Sequence, residues 1–102
     1  MPGPVIAERV LEFRLPGQTH AQRVTVLIEA PQSIENGNWS VEYEIHGPGQ
    51  RKVRQWVGGV DSVQALYMAL VNIPVDLRGI ALLLGGTMTF LDSEDLKFPP
   101  PL

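Results

Sequence analysis

The sequence predicts an α+β fold: a four-stranded antiparallel meander, one helix packed on one face of it, and a short C-terminal strand, in the order β-β-β-β-α-β. Three observations predict it. Apolar and polar residues alternate with a period of two through the first half of the chain. Turns rich in Gly and Pro separate the alternating stretches. After Gly58-Gly59 the period changes to that of a helix.

The first strand is expected over Val5–Leu15. Val5, Ala7, Leu11, Phe13 and Leu15 share one face, with Arg9 as the polar intruder, and Glu8, Glu12 and Arg14 lie on the other. Pro16-Gly17 supplies the turn, since Pro presets φ and Gly accepts a positive one. Gln22–Ala30 returns with Val24, Val26 and Ile28 on one face, and Pro31, which has no N–H for a ladder, ends it. Residues 31–38 read as a loop. Trp39–His46 alternates most cleanly: Trp39, Val41, Tyr43 and Ile45 against Ser40, Glu42, Glu44 and His46. Gly47-Pro48-Gly49 turns the chain into Arg51–Val57, where Val53 and Val57 oppose Arg54 and Trp56. Glu42 and Glu44 lead into this hairpin and Arg51, Lys52 and Arg54 leave it, so the basic cluster reads as cross-strand pairing rather than as a phosphate or nucleic-acid site.

Asp61 with Gln64 three residues later forms a capping-box pattern. Val63, Leu66, Tyr67, Leu70 and Ile73 then recur at helical spacing, and no charge occurs from Ser62 to Val75, so the helix is expected to lie across the apolar sheet face. Pro74 either ends or kinks it. Asp76 and Arg78 suggest a further exposed turn, and Ile80–Leu84 cannot be assigned by periodicity. Gly85-Gly86 is a turn, Thr87–Leu91 a last short strand, Asp92, Glu94 and Asp95 an acidic loop, and Phe98 an anchor for a tail ending in Pro99-Pro100-Pro101.

At 102 residues the chain is expected to form one domain, 1–102, with flexible tails at 1–4 and 99–102. Its 8 basic against 11 acidic residues give a net charge of −3, which makes nucleic acid an unfavoured partner. Zero Cys excludes a disulfide framework, a thiolate metal site and a Cys nucleophile. No basic n-region opens the chain, and the uncharged runs Ser62–Val75 and Gly79–Leu91 each fall short of the roughly 18–20 residues of a membrane span, so a soluble, cytoplasmic protein is expected. Asn38-Trp39-Ser40 matches a glycosylation sequon only by composition.

No catalytic constellation emerges. His20 and His46 sit at different turn edges without metal-ligand spacing, so no metal and no cofactor is expected. The pairs Glu42/Glu44 and Glu8/Glu12 read as solvated strand faces rather than as carboxylates across a cleft. Gly58-Gly59 precedes a helix N-terminus, but Asp61 already places a negative cap there. Trp39 and Tyr43 fall on the inner face. Trp56 falls out of phase, onto the outer face among Arg54, Glu42 and Glu44, where a Trp is either an interface anchor or is stacked on Arg54.

Gly59-Val60-Asp61-Ser62-Val63-Gln64-Ala65-Leu66, followed by Ala69-Leu70 and Ile73, and a closing segment with Phe90-Leu91 and Phe98-Pro99, resembles the pattern of a small bacterial domain family of unknown function. The resemblance runs over roughly residues 5–99. Pro74 and Lys97 depart from it: in that family the helix usually continues at the first position, and a Gly is common at the second. It implies a bacterial, cytoplasmic origin and carries no activity and no functional residue.

The reading that follows is a small non-enzymatic protein acting by contacts with an unidentified protein partner, as an immunity- or inhibitor-like protein or a self-associating module, with a homodimer through an edge strand as one form. Trp56, Arg54, Glu42 and Glu44 form its expected surface. The alternative is a small-ligand-binding domain or minor enzyme with a pocket between sheet and helix at Tyr67, Pro74, Gly85 and Gly86.

Overall fold

A computed structural model describes residues 3–100. Its strands are β1 (Val5–Arg14), β2 (Gln22–Glu29), β3 (Gln32–Ser33), β4 (Trp39–His46), β5 (Lys52–Gly59) and β6 (Thr87–Thr89), and its one α-helix is α1 (Ser62–Leu84). The four long strands form the expected meander, each antiparallel to the next, in the order β5-β4-β2-β1. β6 adds beside the end of β1, and β3 lies along β4 beside its first two residues. Thus the loop expected over 31–38 contains a two-residue strand and a 3-10 turn at Glu35–Gly37. The expected tails at 1–4 and 99–102 fall partly outside the described residues; of those described, Pro4 accepts a hydrogen bond from Ala30 N–H at 2.8 Å.

The inner face follows the alternation. Leu11 and Phe13 of β1, Val24, Val26 and Ile28 of β2, and Val41, Tyr43 and Ile45 of β4 are all buried beneath α1. Val5 leaves this pattern. An extra residue in β1 between Val5 and Ala7 shifts the register, so Val5 opposes Glu29 and shares the outer face with it. A bulge of this kind moves every residue beyond it to the other side of the sheet.

α1 is anchored at both ends by its own sequence. Asp61 accepts a hydrogen bond from Gln64 N–H at 2.8 Å. The Gln64 side chain reaches back to Val60 N–H at 2.7 Å, one residue earlier than in the usual capping box. Gly85, in the left-handed region, closes the other end by donating to Ala81 C=O. Between these caps the helix passes through Pro74 without ending there, and Ile80–Leu84 belongs to it. Proline removes one donor and crowds the preceding turn. The offsetting term is the continuous buried row Ala65, Ala69, Ile73, Leu77 and Ile80, which lies against the sheet on both sides of Pro74. The absence of a Cβ at Gly59 lets the helix start directly against β5: a Cβ there would overlap the Ala65 backbone.

The two uncharged runs, each too short to span a membrane, are joined through this one helix of 23 residues, which is long and apolar enough by length and composition. Five of its residues are buried against the sheet, while Val63, Val75, Leu82 and Leu83 on its other faces are exposed.

The C-terminal segment is held by Arg9. After β6, Leu91 and Asp92 both take positive φ in a tight turn closed by reciprocal Phe90–Ser93 hydrogen bonds of 2.8 and 3.0 Å. This sends the chain back toward β1. The Arg9 guanidinium donates to Leu96 C=O at 2.9 Å and Lys97 C=O at 2.8 Å, and lies over the rings of Phe90 and Phe98, 4.4 and 4.8 Å from their centroids. The polar intruder on the inner face is therefore the anchor of the tail, and Phe98 packs on the core as expected.

Candidate functional site

The outer face of β4 and β5 brings Trp56, Arg54, Glu42 and Glu44 together. Glu44 stands directly across from Arg54 and Glu42 directly across from Trp56. Arg54 lies at the centre of three carboxylates. It bonds both oxygens of Glu29, at 3.1 and 3.2 Å, one oxygen of Glu42 at 2.5 Å, and Glu44. Glu29 is only 5% exposed, so its charge is held away from water by a two-pronged guanidinium pair. Glu29 was not among the residues singled out from the sequence. Its alternation with Leu27 places it on the outer face, but burial there depends on Arg54 covering it from a strand two places away.

Glu44 also meets His46 Nε2 at 2.6 Å and Lys52 Nζ at 3.6 Å. The His46 hydrogen bond above all, then the nearby Lys52 and Arg54 charges, hold the Glu44 carboxyl below its usual range. A depressed carboxylate contributes stability that is complete above its unfolded value, near 4.5, and is lost as pH falls through the lower folded value. Glu44→Gln is therefore expected to flatten the acid limb of a urea-midpoint-against-pH profile below about pH 4.5. An unchanged acid limb would count against this network.

Trp56 is not stacked on Arg54. Both cation–π contacts among the described residues belong to Arg9, and Trp56 is 64% exposed, its ring beside Gly58. The outer face thus presents a bare indole at the edge of a fully paired charge lattice.

The expected pocket is placed differently. A groove of about 480 Å³ runs between the second half of α1, β6 and the C-terminal segment, and Pro74 and Gly86 line it. Tyr67 and Gly85 do not line it. Tyr67 precedes the groove on the helix, and Gly85, as the cap, is exposed. Its lining joins the charged Arg78, Glu94 and Asp95 with the apolar Met88, Leu96 and Phe98.

Beneath α1 a polar contact ties helix to sheet. The Tyr43 hydroxyl donates to Asp76 and accepts from Asn72 Nδ2 at 2.6 Å. Burial first, then the Asp76 hydrogen bond, pushes the phenol well above its usual value, so it stays protonated. Asp76 is thus not part of an exposed turn but a polar tie between helix and sheet. Among the described residues, no buried polar side-chain atom lacks a partner, and no three His, Cys, Asp or Glu side chains group as a metal site.

No curated protein and no solved structure matches the chain. Residues 7–100 match the profile of DUF6968, a domain of unknown function, and the chain belongs to that family.

Proposed function

We propose that this domain works by protein contact rather than by catalysis, through the outer face of β4 and β5. The observation that carries this reading is Trp56: a large apolar side chain, 64% exposed, beside ion pairs that are satisfied within the chain. Exposed Trp flanked by Arg is the residue type that dominates interface energetics. Glu42, Glu44 and Arg54 fix the strand face around it and give the rim its polarity. An immunity- or inhibitor-like role and a self-associating role both use such a face, in a bacterial, cytoplasmic setting. The test is affinity capture with the intact chain, followed by Trp56→Ala and Glu42→Arg. Loss of every specific partner and of self-association in both variants is expected, with the circular dichroism spectrum unchanged. Retention of all contacts in both variants sinks the reading.

The groove at Pro74 and Gly86 favours a second reading, a small-ligand-binding domain. Its lining sets the charged Arg78, Glu94 and Asp95 beside the apolar Met88, Leu96 and Phe98, a mixed polar and apolar lining of the kind that holds a small ligand.

A further inference from the structure

β5 is a long strand with one side open. All eight of its residues pair with β4 in unbroken register, and no backbone group of residues 52–59 makes a hydrogen bond to any other part of the described chain. It carries no Pro and no bulge; its charged residues are Lys52, at its first position, and Arg54, which is paired within the chain to Glu29, Glu42 and Glu44. Directly above this edge, the flank of α1 is apolar except for Asp76, which is tied to Tyr43. Val75, Gly79 and Leu83, spaced one helical turn apart, line a shallow groove with Val53 and Gln55 of β5. Val75 is 52% and Leu83 71% exposed. Gly79 sits inside the helix with nothing near the place its Cβ would occupy. A mid-helix glycine costs stability relative to alanine, and no contact within this chain requires one there.

We infer that a second copy of this chain docks on this edge, pairing β5 with β5 antiparallel about a two-fold axis and bringing the two α1 flanks together on the same side of the joined sheet. The inference rests on the contact reading above and names its partner. One isologous interface covers both open features at once. Charge excludes two registers. Two-fold antiparallel pairing keeps side chains of one face together, so the allowed registers differ by steps of two. Centring on Arg54 would set it against its own copy, and centring on Val53 would set it against Lys52. Centring on Gln55 sets Arg54 across from the partner copy's Trp56, a favourable cation–aromatic pair, and Val53 across from the partner copy's Val57 on the inner face. The extent is sufficient. Eight residues span about 26 Å, and the sheet and helix layers together are about 20 Å thick. The edge thus offers roughly 500 Å² per copy, about 1,000 Å² in all, the size at which specific association begins.

The chain has no Cys, so an introduced one reports without background. The test is the solution mass of the intact chain by light scattering, with Gly79→Leu and Trp56→Glu as interface variants and Gln55→Cys as the probe. The expected result is a dimer of the 11.2 kDa chain. Both interface variants should weaken it at least tenfold while leaving the far-ultraviolet spectrum intact, since both sites are open. Gln55→Cys should form a linked dimer under mild oxidation far faster than Leu91→Cys or Ile6→Cys, the latter on the free part of β1. A monomer at concentrations up to about 1 mM overturns the inference. So does a dimer linked through Ile6→Cys instead, or a monomer that sediments with phosphatidylglycerol vesicles. A monomer whose capture of a different protein still depends on Trp56 overturns self-association and leaves the contact reading standing. A monomer with no such partner overturns both.

Discussion

Replacing Ile73 by alanine is expected to lower the free energy of unfolding by about 2–5 kcal/mol, the cost of deleting a fully buried aliphatic side chain and leaving part of its volume empty. Ile73 has no exposed surface and sits at the middle of the row through which α1 contacts the sheet. It also precedes Pro74, where the helix has lost a backbone donor and depends on packing to continue. Against a total stability of about 5–15 kcal/mol, that loss is a large share. Urea unfolding measures it. Val63→Ala, on the same helix but 73% exposed, is the control and should change stability by less than about 0.5 kcal/mol. Equal effects at the two positions would contradict the packing of α1 described above.

Arg9→Ala is expected to free the C-terminal segment. Arg9 supplies two hydrogen bonds from a charged donor and lies over two rings, which together amount to about 2–4 kcal/mol. Amide exchange should rise sharply over residues 94–98, while β2 and β4 follow only the global loss. Arg9→Lys should recover a minor part, because a point charge cannot bond two carbonyls in one plane and lie flat over both rings. Unchanged exchange in the segment would show that Phe98 packs without its anchor. The same substitution opens the groove at Pro74 and Gly86, because Phe98 and Pro99 form one of its walls. Any ligand of that groove should then bind less tightly.

Much of the fold was legible because it rests on local periodicity. The alternation in Trp39–His46 assigns the two faces of β4 correctly, and Asp61 and Gln64 mark the start of α1 to the residue. The outer-face set Trp56, Arg54, Glu42 and Glu44 was legible for the same reason: hairpin register follows from the alternation and the turn between two strands. Reading failed where distant packing outweighed a local rule. Pro74 predicts a break, but the sheet beneath it holds the helix together. Val5 predicts an inner position, but the bulge at Ile6 turns it outward. The pocket residues Tyr67 and Gly85 were adjacent in pattern to the groove but are not on its walls, since the groove depends on where the C-terminal segment returns.

The sequence by itself determined most of the strand faces and the helix start, because each depends on residues within a few positions of one another. Only the tertiary structure decided what Arg9, Glu29 and Asp76 do. Each is a charged residue whose partner lies far away in the chain: Arg9 on the returning tail, Glu29 under Arg54, and Asp76 on Tyr43. A charge is costly to remove from water unless a partner meets it, and no local pattern tells where the fold will bring that partner. The open edge of β5 belongs to the same class. Its residues look like any paired strand, and only the full strand order shows that nothing within the described chain covers its other side.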